Sequence, residues 1–148
     1  MFEELDKPQD LAYAVQYLGT TARALGEYDT ARERLERSLQ LHHEVGDDHG
    51  RGECLVEFGT LARHRADLAR SRGFCDAAAT VFRDIGDRRR ELEALVELVE
   101  VERDASLAAA ASEHCERVQA ILDTATVPTE LAESAESVCG QGDVDAGS

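Results

Sequence analysis

The chain has 148 residues, enough for one compact domain or for about three to four stacked helical hairpins. It carries 31 acidic and 16 basic residues, a net charge of −15, and so acidic a surface excludes nucleic acid and anionic membranes as expected partners. Aromatic residues make up only 5%, and both prolines, Pro8 and Pro128, lie near the ends, which favours an all-α fold with small side chains between the helices.

The acid excess goes together with a shortage of lysine, since Lys7 is the one lysine and all the other basic residues are arginines. Such a composition resembles that of proteins from halophiles that accumulate salt, in which surface carboxylates keep the fold hydrated. A GC-rich genome, which favours arginine codons, is the alternative explanation for the shortage of lysine, although it does not account for the acid excess.

Residues 8–127 are predicted to form three pairs of helices. In the first pair, apolar residues recur every three or four positions from Leu11 to Leu25, which indicates an amphipathic helix over about 10–25 that Gly26 ends. The same spacing predicts a second helix over about 28–45.

The pairs recur with a period of forty residues, and no insertion or deletion is needed to align them. Leu18-Gly19-Thr20 aligns with Phe58-Gly59-Thr60, and Gly46-Asp47 aligns with Gly86-Asp87. The repeats are therefore predicted at about 11–50, 51–90 and 91–127, with further helices near 50–65, 68–85, 89–104 and 107–124.

The N-terminal residues are expected to belong to a preceding repeat. Residues 1–7 align with the end of a second helix, because Phe2 lies in register with Phe82 and Leu5 with Ile85. We therefore expect a remnant of a preceding repeat helix, with a minimal cap as the alternative. An exposed apolar end of this kind favours homo-oligomers or the docking of a neighbouring domain.

The C-terminal residues are expected to close the array. A short capping helix is predicted within 128–139, with Pro128 or Thr129 as its start signal. The Gly-, Asp- and Ser-rich residues 140–148 are expected to form a disordered acidic tail.

The first repeat resembles the tetratricopeptide signature, W-x2-L-G-x2-Y…A-x3-F. Leu18-Gly19 and Ala31 match it, and apolar residues stand in its aromatic positions, namely Val15, Ala22 and Leu35. The third repeat departs most, because it lacks the glycine and has Glu102 where a small or aromatic residue packs. The resemblance covers about residues 2–124 and implies an antiparallel helical-hairpin solenoid, a tetratricopeptide-like superhelix of about three repeats.

Tetratricopeptide proteins generally bind peptides or helices of other proteins on the concave face, which is the surface lined by the first helix of each hairpin. The resemblance implies that this face carries fourteen side chains, grouped here by repeat: Tyr13, Gln16, Thr20 and Arg23; Glu53, Val56, Thr60, Arg63 and His64; Glu93, Val96, Glu100, Arg103 and Asp104. Of these, the binding residues we expect are Tyr13, Gln16, Thr20, Arg23, Thr60, Arg63, His64, Glu100 and Arg103.

Three arginines of this face, Arg23, Arg63 and Arg103, stand forty residues apart and should align as a ladder when the repeats stack. Such a ladder suits a partner with an acidic segment. The alternative is that the arginines pair with neighbouring carboxylates of the chain itself.

Cysteine and histidine give no sign of a metal site. Cys54, Cys75, Cys115 and Cys139 form no CxxC pair, and the five histidines have no ligand spacing that would complete a zinc site. Cys75 and Cys115 are expected in the core as small apolar residues, and all four thiols are expected to be reduced in a cytoplasmic protein.

No catalytic constellation, phosphate-binding loop or cofactor motif is present in the sequence, so we expect no enzyme and no cofactor. The function that the sequence indicates is a scaffold or adaptor that binds a protein or peptide. One alternative is a regulatory or sensor module separated from a larger signalling or transcription-regulating protein. The other is a structural unit that self-associates through its ends.

Overall fold

The computed structural model describes the backbone of residues 7–147 and the side chains of residues 7–140, and this part of the chain forms seven α-helices without strands. They are α1 (Pro8–Ala24), α2 (Tyr28–Val45), α3 (Asp48–His64), α4 (Leu68–Ile85), α5 (Arg88–Asp104), α6 (Ala108–Thr124) and α7 (Thr129–Gly147). The predicted bounds of the first six agree with these to within two residues. The predicted N-terminal remnant lies, except for Lys7, outside the described residues.

The helices form three antiparallel hairpins, α1–α2, α3–α4 and α5–α6, and α7 packs on both helices of the last one. The first helices begin at Pro8, Asp48 and Arg88, so each hairpin begins forty residues after the one before it. First helices also contact one another directly, α1 with α3 and α3 with α5. The predicted all-α solenoid of helical hairpins is confirmed.

Glycine allows the two helices of a hairpin to approach closely. A Cβ atom on Gly19 would lie 2.8 Å from Cγ of Leu35, and one on Gly59 would lie 2.6 Å from Sγ of Cys75. At the second crossing the Ser71 hydroxyl also donates a 2.7 Å hydrogen bond to the carbonyl oxygen of Gly59. A larger residue at either glycine would push the helices apart.

Aspartate begins three of the helices. The side chains of Asp47, Asp67 and Asp87 accept hydrogen bonds of 3.0 to 3.1 Å from backbone amides in the first turns of α3, α4 and α5. Each of these bonds satisfies an amide that has no carbonyl partner within its helix. The recurrence of Gly-Asp at the first two repeat junctions thus has a local cause, since Gly46 and Gly86 take the left-handed conformation that ends the preceding helix and the aspartate begins the next one.

The turn inside each hairpin also needs a left-handed residue. Gly26 fills this position in the first hairpin with φ 80°, but Ala66 and Ser106 fill it in the second and third with φ 60° and 62°. For residues with a Cβ atom, this conformation costs about 1–2 kcal/mol.

Replacement of Ala66 or Ser106 by glycine should therefore stabilise the fold. We expect each substitution to raise the free energy of unfolding by about 1 kcal/mol, because the strain that it relieves exceeds the added entropy of the unfolded chain. Urea titration followed by circular dichroism measures the change. Gly26→Ala is the matched opposite and should destabilise the fold; a loss of stability in Ala66→Gly would contradict this account.

The interior holds two buried carboxylates beside its apolar core. Glu91 accepts two hydrogen bonds from Arg117, of 2.8 and 3.0 Å, and a third from Arg88. Glu102 has no exposed surface, and its oxygens lie 2.9 Å from Nε of Arg72 and 2.7 Å from Nδ1 of His114. Both carboxylates belong to α5: Glu91 binds α6 within the third hairpin, whereas Glu102 binds both α4 and α6 and so helps to fix the last two hairpins together.

A disulfide between Cys115 and Cys139 joins α6 to α7. The prediction of four reduced thiols is therefore wrong for this pair, and Cys115 is not a simple core residue. The two cysteines are 24 residues apart and only the docking of α7 brings them together, so the sequence spacing gave no sign of the bond. Cys54 and Cys75 are free and buried, as expected for Cys75.

Reduction of this disulfide should loosen the end of the array. For a loop of 24 residues, we expect the loss of the cross-link to lower the free energy of unfolding by about 3 kcal/mol. Urea titration with and without dithiothreitol measures the change, and Cys139→Ser is the control that the reductant should not affect. Equal unfolding midpoints of the native chain in both conditions would contradict the bond.

The last helix continues beyond the predicted capping segment, since α7 extends to Gly147. The side chains from 141 onwards lie outside the described residues, and the predicted acidic tail stays a prediction. Within residues 7–147, every helix is too short or too polar to cross a bilayer.

Candidate functional site

Three cavities follow one another along the concave face. The first is lined mainly by α1, α3 and the start of α5 and measures about 300 Å³; Gln16, Thr20 and Glu53 belong to it. The second measures about 410 Å³ and is lined by Thr60, Arg63, His64 and Glu97. The third measures about 380 Å³ and lies between Arg63, the end of α5 and α7. Eight of the nine predicted binding residues thus line or adjoin this row.

The exception is Tyr13, which faces the second helix of its own hairpin. Its ring packs edge-on against the ring of His42, with 4.6 Å between the centroids. Burial and the neighbouring Asp47 carboxylate raise the pKa of Tyr13 above its usual value. Tyr13 therefore contributes to packing inside the first hairpin more than to the open surface.

Gln16 connects this buried region to the surface. Its amide nitrogen donates a 3.2 Å hydrogen bond to Glu53, and its amide oxygen lies 2.8 Å from Nε2 of His42. Nδ1 of His42 faces Oδ2 of Asp47 at 3.5 Å, and neither atom has a hydrogen-bond partner among the described residues. Burial lowers the pKa of His42, which favours a neutral ring.

Arg23 is bound to the neighbouring repeat. Its Nε lies 2.6 Å from Oε2 of Glu57, and both side chains are about three-quarters buried. This contact bridges α1 and α3, so the guanidinium group is already engaged by the chain itself. The same is true of the next arginine of the ladder.

Arg63 binds three carboxylates of α5. Its guanidinium group lies 2.8 Å from Glu100, 2.9 Å from Asp104 and 3.8 Å from Glu97. These contacts, with the hydrogen bond to Glu100 foremost, raise the pKa of Arg63. Arg23 contacts Glu57 and Arg63 contacts Glu97, in each case a carboxylate 34 positions further along the chain. The two arginines therefore join successive repeats in the same way.

Among residues 7–140 Arg103 has no acidic partner of this kind, because α7 takes the place of a fourth first helix. Its Nε donates a 3.0 Å hydrogen bond to the carbonyl oxygen of Val138, and a second nitrogen donates to that of Cys139 at 3.4 Å. Arg23 and Arg63 thus pair with neighbouring carboxylates of the chain itself, the alternative that the sequence left open, whereas Arg103 donates to backbone carbonyl oxygens.

Two carboxylates of this face, Glu57 and Glu97, were not among the predicted residues. They stand forty residues apart, each 34 positions after a ladder arginine, and this double spacing is the signal that could have identified them. Ser134 and Ser137 of α7 also line the third cavity, but no repeat register reaches them.

Glu97 is the carboxylate whose ionisation the fold opposes. Its side chain is 36% exposed, and partial burial together with the nearby Glu100 raises its pKa above the usual 4.5, although Arg63 acts in the opposite direction. Because the pKa of Glu97 is higher in the folded protein than in the unfolded chain, its protonated form contributes stability that is complete below about pH 4.5. This contribution is lost as the pH rises through the pKa that Glu97 has in the folded protein. At neutral pH the charged form is therefore a source of instability.

We accordingly expect Glu97→Gln to unfold at a higher urea concentration than the native chain at pH 7. The difference should disappear below about pH 4.5, where Glu97 is neutral in both states. Glu133→Gln on the exposed face of α7 controls for the general effect of removing one charge from an acidic chain. A destabilised Glu97→Gln variant at pH 7 would show that the contact with Arg63 outweighs the burial.

The two free thiols are poorly suited to react. Burial raises the pKa of Cys54 to about 11 and that of Cys75 to about 12, so both remain protonated at neutral pH. Among the described residues no group of histidine, cysteine and acidic side chains is arranged to hold a metal ion.

The sequence matches no protein-family model and no curated protein. Its structure is similar to that of BtubC (BKLC) from P. vanneervenii, with a TM-score of 0.85 and 16% identity over 99% of this chain and 62% of that chain. It is also similar to the N-terminal domain of stress-induced protein-1 (STI-1) from C. elegans, with a TM-score of 0.71 and 16% identity over 90% of this chain and 98% of that domain. The chain thus spans 62% of the length of BtubC, and at this identity the likeness shows the fold, a tetratricopeptide-like solenoid of helical hairpins.

Proposed function

We propose that the chain is a protein-interaction module that holds a peptide or helix of a partner protein on its concave face. The row of three cavities along α1, α3 and α5 supports this function, because an extended segment could contact all three repeats at once. Thr20, Thr60 and His64 line the row, and within residues 7–140 they take no part in the ion pairs that join the repeats.

The partner segment that we predicted from the arginine ladder is acidic. Such a segment would have to replace Glu57 at Arg23, and Glu100 and Asp104 at Arg63, with carboxylates of its own. At Arg63, whose pairs are a third to a half exposed, such exchange is feasible because exposed pairs contribute only about 0–1 kcal/mol to stability. The Arg23–Glu57 pair is about three-quarters buried, and its exchange costs more. An acidic segment therefore remains part of the proposal, with exchange of ion pairs as its mechanism.

Affinity capture from a lysate of the source cells, in high potassium chloride, tests the concave face. The bait is the native chain, and the test variant is Thr20→Tyr with Thr60→Tyr, which fills the first two cavities. Thr30→Tyr with Thr80→Tyr is the matched control, because both threonines are exposed on second helices and Thr80 makes the same hydrogen bond to its own helix as Thr60. We expect the native chain and the control variant to capture a protein that the test variant does not capture.

Equal capture by the test variant would contradict a concave binding site. If the test variant does lose the partner, substitution of Arg23 and Arg63 by glutamine distinguishes an acidic partner segment from a neutral or basic one. An acidic partner should be lost with these arginines, whereas a neutral or basic partner should be retained.

Self-association through α1 is a second candidate function. Tyr17, Leu18 and Leu25 are 72%, 49% and 70% exposed, and Ala14 and Thr21 beside them are also exposed. Together they form an apolar stripe at helical spacing, of the kind that packs against another helix. Sedimentation velocity over a range of concentrations tests this function: the native chain should form dimers or larger species that Leu18→Glu abolishes, and a monomer at all concentrations would contradict it.

A further inference from the structure

A groove of about 310 Å³ lies between the first and second hairpins, and it shares no lining residue with the three concave cavities. Its floor is apolar: the rings of Phe58 and Phe74 stack with 5.3 Å between centroids, and Leu61 and Ala62 lie beside them. Exposed arginines, including Arg32 of α2 and Arg65 directly after α3, stand at its rim. The groove thus offers an apolar surface next to cationic groups.

The equivalent position between the second and third hairpins is filled by the chain itself. Three positions can be compared between the two junctions: Arg72 stands forty residues after Arg32, Glu102 forty after Ala62, and His114 forty after Phe74. There the carboxylate of Glu102 is completely buried, 2.9 Å from Nε of Arg72 and 2.7 Å from Nδ1 of His114. At this junction, therefore, an arginine of the second helix binds a carboxylate inside the groove.

The first groove has the arginine but lacks the carboxylate. Ala62 replaces Glu102, which leaves the space open, and Phe74 replaces His114, which makes the adjoining surface apolar. Arg32 forms no ion pair with any residue of the described range 7–140, although Arg72 at the same position does. The two junctions thus differ by one missing carboxylate and one apolar ring.

We propose that this groove binds a segment of a partner protein in which an acidic residue stands beside an apolar side chain. The carboxylate occupies the position that Glu102 takes in the second junction and pairs with Arg32. The apolar side chain lies against Phe58 and Phe74. A planar guanidinium group suits a carboxylate in this way, and the aromatic floor supplies the apolar contact area.

The surroundings of the groove favour a protein segment over a polyanion. Glu36 and Asp67 also line it, and the whole chain carries a net charge of −15, so a ligand with many negative charges would be repelled. A single carboxylate placed between these groups matches the one that is missing. The site lies on the side of α2 and α4, so it could be filled at the same time as the concave face.

A random-peptide phage library panned on the native chain tests the proposal. Selected clones are then measured against three variants by fluorescence anisotropy of the labelled peptides. Arg32→Gln removes the cation, and Ala62→Glu places in the groove the carboxylate that the second junction already has. Arg37→Gln is the matched control, because Arg37 is an exposed arginine of the same helix outside the groove.

We expect a class of clones that carry Asp or Glu close to an aromatic residue or leucine. Their affinity should fall at least about tenfold in both Arg32→Gln and Ala62→Glu and stay unchanged in Arg37→Gln. The proposal is overturned if no clone is sensitive to Ala62→Glu, or if the sensitive clones lack a carboxylate. Arg32 is exposed, so its variant keeps the test valid even if Ala62→Glu disturbs the fold.

Discussion

Replacement of both Arg72 and His114 by alanine is expected to lower the free energy of unfolding by about 3–5 kcal/mol. The two side chains are the partners of Glu102, which has no exposed surface. Their removal leaves a carboxylate that is buried without a compensating charge or donor, and such a group costs far more than the pair contributes. Urea titration at pH 7 measures the change.

Removal of the carboxylate as well should restore much of this loss. The triple variant with Glu102→Ala has at this place the residue that Ala62 supplies in the first junction, where the fold accommodates an open groove. We expect it to be more stable than the double variant. A triple variant that is less stable than the double variant would show that Glu102 contributes mainly through packing.

Gly59→Ala is expected to destabilise the fold by about 1–3 kcal/mol, the usual cost of extra volume in a well-packed core. The added Cβ atom would lie 2.6 Å from Sγ of Cys75 and 3.5 Å from the carbonyl oxygen of Ser71, so α3 and α4 must separate slightly. The hydrogen bond between Ser71 and Gly59 would lengthen in consequence. Thermal unfolding followed by circular dichroism measures the loss.

The sulfur of Cys75 is the atom that the new methyl group meets, so Cys75→Ala in the same chain should recover part of the stability. This coupling appears as a favourable interaction energy in the double-mutant cycle. Gly73→Ala is the matched control, because a Cβ atom there would have no neighbour within 4 Å and should stabilise α4 by about 0.5–1 kcal/mol. A neutral effect of Gly59→Ala would contradict the close approach of the two helices.

Much of the fold could be predicted because its determinants are local and recur along the sequence. The apolar spacing and the glycines at 26, 46 and 86 define where helices begin and end, and the recurrence of Gly19 at Gly59 indicates where two helices cross closely. These features depend on residues within one turn or one hairpin. A fixed period then extends the assignment of the first hairpin to the others.

The contacts between repeats could not be predicted in the same way. The ladder arginines were correctly placed on the first helices, but Glu57 and Glu100, which bind two of them, lie 34 and 37 residues further on. Which carboxylate reaches which arginine depends on how far one repeat is rotated against the next. The sequence pattern does not contain this rotation.

Departures from the repeat were the features most difficult to interpret. Glu102 was noted as out of place in the third repeat, yet only the structure brings Arg72 and His114 to it. Similarly, α7 follows no repeat register, so its disulfide to α6 and its contact with Arg103 had no signal in the spacing of residues. Each departure marks a place where the chain differs from a regular array.

The most direct test of a concave binding face is site-specific photocrosslinking in the source cells. A photoreactive phenylalanine analogue is placed at Thr20 or Thr60 on the concave face and, for comparison, at Thr30 or Thr80 outside it. A partner protein that crosslinks from Thr20 and Thr60 and not from the other two positions is the result that we predict. Crosslinks that form only from Thr30 and Thr80 would contradict the assignment of the concave face as the binding surface.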